Sequence, residues 1–480
     1  MRNILYKTLI CATLATSAAS CSKFDDDFNV NPNQPSPNAL ETKFLLTSAL
    51  MYVDDAAFSI NAGNFYVQYL AEGPYPGASL YNGRNFDWNT FFLNPLYDLQ
   101  RIEDMVNTSA PGSGDGNGSK ANQLAVASIL KSYYFIHMTD RWGAIPYTEA
   151  LKGSDGLSPA YDSQQSIYND VFTKLAAAVS SIDAGNGVAG DILLGGDMGA
   201  WKKFANTLRM TMALRLSKVD ATKGKAEFLA AMNASGGVLA SNGDNINFKF
   251  LNDPNYFNPW YSNYTISNRN DYAISTKLAD YMLDNGDKRI AVYAEKLSGS
   301  TPYVGLEYGS ASAKNIPAAY SRIGDAFRGP TSPARIFNYP QVLFMMAEAA
   351  KLGWIDGGDA VAADHYANAI KASWEMNGVY DAADYAVYMA NVPYVAGNGI
   401  ERIMTEKWVH NYLNGYEAWS DWRRTGFPVL EPAEDAVDSR GIPVRQGYPT
   451  KEGSLNKASY DAAVAAQGED HNYTPVWWDK

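Results

Sequence analysis

The chain has 480 residues, 46% hydrophobic and 19% charged, which describes a folded protein able to bury a large core rather than a disordered one. Its net charge is −12, and removing Arg2 and Lys7 with an N-terminal leader leaves 37 basic against 51 acidic residues. A surface that acidic repels nucleic acid and no basic run argues otherwise, so DNA and RNA are excluded as partners.

Arg2 and Lys7 give the N-terminus a positive start, Ile4 to Ala19 are mostly apolar or small, and Ala18-Ala19-Ser20 leads into Cys21. This is the pattern of a secretory signal peptide over residues 1–20. A cysteine at the first mature position carries a thiol that can be acylated, so Cys21 is the expected lipidation site. Residues 21–37, acidic at first and then turn-rich (NVNPNQPSP), read as a lipidated flexible tether. Cys11 leaves with the leader and Cys21 carries lipid, so the body forms no disulfide and relies on core burial. No later stretch approaches about 18 uninterrupted apolar residues, and the membrane is expected to hold the chain through acyl groups alone.

Residues 38–480 read as one α-helical domain. Ser36-Pro37 has the chemistry of a helix start, with Leu40, Phe44, Leu45, Ala49 and Tyr52 at helical spacing. Further helices are predicted over 64–72, 91–107, 121–138, 164–182, 201–218 and 225–233. Trp201, Phe204, Leu208, Met212 and Leu216 form a clear apolar stripe. Others follow at 272–285, 288–297, 341–353, 360–377, 382–389 and 399–422. The intervening segments 73–89, 242–269 and 298–333 and the tail from Pro428 lack periodicity. The pair 341–353 and 360–377, with Ala360, Ala362, Ala363, Ala367 and Ala369 on its second helix, has the look of a tetratricopeptide hairpin. The other pairs keep no strict period of about 34 residues. The predicted class is therefore all-α: tetratricopeptide-like helix pairs in a superhelical scaffold with a loop-rich face.

Signals for catalysis are absent. His137, His365, His410 and His471 are scattered outside any ligand spacing, and there is no G-x-S-x-G elbow. The glycines of PGSGDGNGSK (111–120) fit no phosphate loop. Asp27–Asn31 begins like a calcium loop, but Pro32 and Asn38 stand where Gly and Glu are required. No cofactor is expected, with a weak structural calcium left open in the Asp/Asn-rich loops. Binding signals are present. The chain has 32 Tyr, 11 Trp and 19 Phe, and two loops combine flat rings with Asn and Arg. These are the expected ligand residues: Tyr75, Tyr81, Arg84, Phe86 and Trp88 in the first loop; Tyr256, Trp260, Tyr261, Tyr264, Asn268 and Arg269 in the second. Rings for the apolar face of a pyranose beside donors for hydroxyls suit carbohydrate. Rings that merely glue loops to the helical body are the alternative.

Several stretches in order along the chain resemble the SusD/RagB family of surface nutrient-binding lipoproteins: NVNPN after the cysteine, DRWGAIPYTEAL (140–151), WKKFANTLRMTMALRLS (201–217), YPQVLFMMAEAAKLGW (339–354), IERIMTEKWVHNYLNGYEAWSDWRRTGFPVL (400–430) and the terminal VWWD. The spacing is similar to the SusD-like subgroup. The resemblance implies a helical fold with tetratricopeptide-like pairs. It also implies a cell-surface position on the outer membrane and a SusC-like TonB-dependent transporter as partner. A glycan ligand without catalysis is the implied function, a peptide the alternative, and a tethered glycan-cleaving enzyme a third reading. The DRWG and RRTGFP motifs are expected to serve the fold: Trp142-Gly143 with Pro146 ending a helix, Arg423-Arg424 binding terminal carbonyls.

Overall fold

The computed structural model describes residues 40–480 except 111, 113 and 300, so Cys21, the expected leader and tether, and the Asp27–Asn31 run lie outside the described residues. The helices follow from caps and apolar stripes. In chain order they are α1 (Thr42–Leu50), α2 (Ala62–Tyr66), α3 (Tyr97–Thr108), α4 (Lys120–Trp142), α5 (Gln164–Ser181), α6 (Met198–Arg215) and α7 (Ala221–Met232). Then come α8 (Thr276–Asn285), α9 (Tyr339–Lys351), α10 (Gly358–Met376), α11 (Ala382–Asn391), α12 (Gly399–His410), α13 (Gly415–Thr425) and α14 (Lys457–Gln467). Ser119, Ser163 and Asp197 cap α4, α5 and α6 by accepting backbone N–H groups of the first turn, and Asn338 with Gln341 forms a capping box on α9. On α6 the stripe Trp201, Phe204, Leu208 and Met212 is buried, as its spacing demands.

Consecutive helices pack as pairs, α4 on α5, α6 on α7 and α9 on α10, and the pairs join where α5 meets α6 and α9 meets α12. This is the expected helical scaffold, with α3 packed between α1 and α4. Among the described residues, six short strands are added in three antiparallel ribbons. They are β1 (Leu70–Glu72), β2 (Ile145–Pro146), β3 (Tyr161–Asp162), β4 (Ile246–Phe248), β5 (Tyr272–Ile274) and β6 (Ala334–Phe337), paired β1–β5, β2–β3 and β4–β6.

Several expected helices differ. The one read as starting at Ser36-Pro37 begins only at Thr42, with Glu41 at its N-cap position. The one over 64–72 stops at Tyr66, and Leu70–Glu72 is strand β1; the one over 272–285 begins only at Thr276, because Tyr272–Ile274 pairs with β1. Over 288–297 only Ile290–Tyr293 is helical. The single helix over 399–422 is two, broken at Asn411–Asn414 where Leu413 takes φ +68°. The break lets Gly415 press on Gly63 of α2: a Cβ on Gly63 would stand 2.6 Å from the Gly415 carbonyl carbon. In the tail, α14 was not expected.

The family-like motifs do serve the fold, but through cross-chain contacts. Asp140 at the end of α4 accepts from the Tyr168 hydroxyl (2.5 Å), Trp478 Nε1 (2.8 Å) and Gln164 (3.3 Å) and pairs with Arg215, joining α4, α5, α6 and the C-terminus. Arg423 lies against the rings of Trp419 (3.7 Å) and Trp478 (4.5 Å) and donates to the carbonyls of Asp140 (2.8 Å) and Val444 (3.0 Å). Arg424 pairs with Glu348 of α9, with Nη2 to Oε2 at 2.9 Å, and with Asp421 (3.2 Å). The expectation that both arginines bind their own helix's last carbonyls is thus corrected: within α13 they reach the Trp419 carbonyl (3.4 Å), the Ser420 hydroxyl (3.0 Å) and the Asp421 carboxylate (3.2 Å), and their other bonds tie α13 to other elements.

Candidate binding cleft

Strand pairing builds the site. β1 and β5 run antiparallel, with Leu70 opposite Ile274 and Glu72 opposite Tyr272. The chain leaving β1 (Gly73–Tyr75) and the chain entering β5 (Ser267–Asp271) therefore emerge side by side. Gly73 joins them to a third segment: its N–H donates to the Asp271 carbonyl (2.8 Å), and its carbonyl accepts from the Lys314 N–H (3.0 Å). A Cβ on Gly73 would stand 2.6 Å from Ile316 Cγ1, so only glycine allows this approach. Beneath the junction Ala71, Ala273, Leu306 and Ile316 form a small buried cluster.

Above it lies an open cleft of about 780 Å³, lined by Pro74, Tyr75, Ser267–Asp271 and Ala313–Ile316. Tyr75 is 66% exposed, and the Arg269 guanidinium stands 5.6 Å from its ring centre. Arg269 Nε donates to Asp271 Oδ2 at 2.5 Å, and this bond holds the guanidinium above its ordinary pKa. Asn268 takes φ +48°, a left-handed conformation that asparagine tolerates. At the base, burial first and then the carboxylates of Glu72 and Asp271 push Tyr272 up to about 12. A ring face, guanidinium and ammonium donors, two-way amides and a carboxylate acceptor together suit a polyhydroxylated ligand.

Of the expected ligand residues, the cleft gathers Tyr75, Asn268 and Arg269. Tyr256 is exposed and Tyr261 is half-buried against Phe257 on the second loop, and neither lines the cleft. The others serve elsewhere. Trp88 is 2% exposed, packed edge-on against Trp142, Tyr161 and Tyr448 at 5.4–5.7 Å. Tyr81 is buried and its hydroxyl accepts the Ala433 N–H (3.1 Å). Arg84 donates to the Asp470 carbonyl (2.7 Å), and half-buried Phe86 gives its N–H to Gly447 (3.1 Å). The first loop beyond Tyr75 is thus stitched to the C-terminal tail. Trp260 is 0% exposed, edge-on to Tyr272 at 5.9 Å. Tyr264 is buried, donates to the Tyr272 carbonyl (2.7 Å) and lies under the Arg322 and Arg328 guanidiniums. Reading Tyr81, Trp88, Trp260 and Tyr264 as stacking faces is therefore corrected: no ring with both faces covered by protein can receive a sugar.

The Trp260 placement has a local cause. Asn258 caps the turn, its side-chain oxygen accepting the N–H groups of Trp260 (2.8 Å) and Tyr261 (3.3 Å), with Pro259 at the first helical position. Asn258 also donates to the carbonyls of Pro330 (3.0 Å) and Ser332 (2.7 Å), nailing the turn down and driving Trp260 inward. Asn-Pro-Trp was the signal for this. Sequence reasoning missed Gly73, Asn270, Asp271, Lys314 and Asn315, whose meeting depends on pairings between distant segments.

Among the described residues no helix is long and apolar enough to cross a membrane, and no cluster of three or more His, Cys, Asp or Glu is arranged to hold a metal ion.

Comparison with known proteins gives a consistent result. Residues 32–449 match the SusD-like family described as "Starch-binding associating with outer membrane". Among solved structures, a chitin-binding protein is 29% identical, with TM-score 0.79 over 92% of this chain and 100% of its own. A chitin-binding SusD homolog from Flavobacterium johnsoniae is 27% identical, with TM-score 0.72 over 92% of this chain and 97% of its own. A SusD homolog from Bacteroides fragilis is 22% identical, with TM-score 0.77 over 92% of this chain and all of its own, and speaks for the fold alone. No curated protein matches the sequence.

Proposed function

Because the chain belongs to the SusD-like family, we propose that it is a lipid-anchored protein of the outer-membrane surface that captures oligosaccharide in the Tyr75–Arg269–Lys314 cleft and hands it to a TonB-dependent transporter. The observation that carries this reading is the cleft itself: an exposed tyrosine face ringed by hydroxyl-binding groups, on a backbone junction fixed by Gly73. Two chitin-binding structures at 27% and 29% identity make β-linked N-acetylglucosamine oligomers the first ligand to try.

The reading is binding without cleavage. Among the described residues Asp271 is the one carboxylate lining the cleft, and it is engaged by Arg269, whereas glycoside hydrolysis uses two acting as acid and as base or nucleophile. Cys21 supplies the anchor, and the tether keeps the body at high local concentration beside its transporter. Affinity electrophoresis of the pure protein through gels containing soluble chitin derivatives, starch or other polysaccharides tests this. Retardation without new reducing ends is expected; new reducing ends, or free migration through every glycan, would overturn it.

A further inference from the structure

The β1–β5 ribbon has a second end. The cleft opens beyond Glu72; the opposite end, at Leu70 and Ile274, leads back to Gln68 on one strand and on into α8 from the other. Two further segments close on it. The Thr276 N–H donates to the Leu306 carbonyl (3.0 Å), and the Asp435 N–H to the Gly309 carbonyl (3.0 Å). A Cβ on Gly309 would stand 2.5 Å from Ala433 Cα, so glycine lets these segments meet. Between them lies an open groove of about 620 Å³, separate from the cleft. Its walls carry the exposed carboxylates of Asp280, Glu307, Glu431 and Glu434 against one ammonium, Lys277, and among the described residues none of the five forms an ion pair. Burial first, then the Asp284 carboxylate, hold Asp280 above its ordinary pKa.

Carboxylates on an acidic protein are by themselves only a solvated face. Gln68 adds a second observation. It is 4% exposed, lines the groove, and takes φ +57°, a left-handed conformation that costs a non-glycine residue energy. Its Nε2 donates to the Glu431 carbonyl (2.5 Å), and among the described residues its side-chain oxygen accepts no hydrogen bond. A buried carboxamide on a strained backbone with its acceptor unspent is accounted for by a donor arriving in the groove. Half-buried Tyr281 and Tyr308 line the same groove, and the Tyr281 hydroxyl is fixed to Glu406 Oε1 (2.7 Å). A concavity lined by one sign of charge concentrates the opposite sign.

We propose that this groove is a second, charge-selective site that takes amino sugars, pairing their ammonium groups with the Glu307, Glu431 and Glu434 carboxylates. It shares its ligand class with the glycan reading of the cleft but none of its residues. An amino sugar fits better than a basic peptide because the walls offer rings as well as acceptors. A lysine or arginine needs only the carboxylates, whereas a pyranose also has an apolar face for Tyr281 and Tyr308 and hydroxyls for Gln68.

The test is calorimetric titration of the full mature chain with glucosamine hexasaccharide at about pH 6, where amines are protonated, beside N-acetylglucosamine hexasaccharide and oligolysine. The triple change Glu307→Gln, Glu431→Gln and Glu434→Gln, all on exposed side chains, should weaken the glucosamine oligomer at least about fivefold and leave the N-acetyl oligomer unchanged. Tyr75→Ala should leave glucosamine binding unchanged. Asp155→Asn, Asp356→Asn and Asp364→Asn together remove the same charge from exposed positions elsewhere and should have no such effect. Equal weakening by both triple variants would reduce the effect to net charge and overturn the inference, as would glucosamine binding that survives loss of the three glutamates. Oligolysine binding through those glutamates without glucosamine binding would overturn it in favour of a basic polypeptide. If the glucosamine oligomer binds in the groove while the N-acetyl oligomer does not bind at all, the reading of the cleft fails and this inference stands.

Discussion

Replacing Trp260 separates a structural ring from a ligand-binding one. The side chain is fully enclosed, edge-on to Tyr272 at 5.9 Å, in a turn fixed by Asn258 to the 330–332 segment. Truncating a buried Trp to Ala removes its transfer free energy and leaves a cavity, together about 3–5 kcal/mol. Unfolding entropy of about 2.1 cal/mol/K per residue, applied to a body of this length, makes 1 kcal/mol worth about 1 °C, so Trp260→Ala should lower Tm by about 3–5 °C. Among the described residues the Trp260 indole N–H finds no hydrogen-bond partner. Trp260→Phe therefore removes an unsatisfied donor along with the ring volume and should lose less than half as much, since a buried unpaired group costs about 1–3 kcal/mol. Thermal and urea melts of both variants, with glycan titration of the folded protein, provide the measurement. Glycan affinity should stay within about twofold of wild type. A Trp260→Ala protein that melts like wild type yet loses its ligand would refute the packing argument.

Further outcomes follow from buried charge and from the anchor. Burial first, then the Asp55 carboxylate, push Asp54 up to about 7. The folded state thus keeps a proton that the unfolded chain releases near pH 4, so the stability this group contributes is present below about pH 4 and is lost as pH rises toward 7. Asp54→Asn should match wild type at pH 4 and exceed it at pH 8 by on the order of 2–4 kcal/mol in urea melts; parallel pH profiles for the two proteins would contradict this. Glu348→Leu leaves buried Arg424 with Asp421 as its remaining carboxylate partner and should cost about 2–3 kcal/mol, while the double change with Arg424→Met should recover much of it. Equal loss in the single and double variants would show that the pair is not coupled. Cys21→Ala should move the protein from the membrane fraction to the soluble one with glycan affinity intact; retention in the membrane would show another attachment.

The sequence made the scaffold legible where burial is periodic. Trp201, Phe204, Leu208 and Met212 repeat at helical spacing and sit on one buried face because nothing local competes. It failed where long-range pairing overrides local pattern: Leu70–Glu72 and Tyr272–Ile274 read as helix but are each other's strand partners. In α14 the contrast between faces is weak, with Ala463 alone fully buried, so its alanines gave no stripe. For the site, composition found Tyr75, Asn268 and Arg269 but could not separate them from Trp88 and Trp260, since an aromatic loop residue looks the same whether it faces solvent or a core. Asn258-Pro259 before Trp260 carried that distinction as cap chemistry. Lys314 and Gly73 had no sequence signal, because their roles exist only once three distant segments meet.

The central claim is that Tyr75 and its neighbours hold a glycan. Tyr75→Ala, on an exposed ring outside the core, should leave Tm within about 1 °C while weakening binding of chitin hexasaccharide about five- to tenfold by calorimetry. A folded Tyr75→Ala protein that binds the hexasaccharide as tightly as wild type would contradict the account.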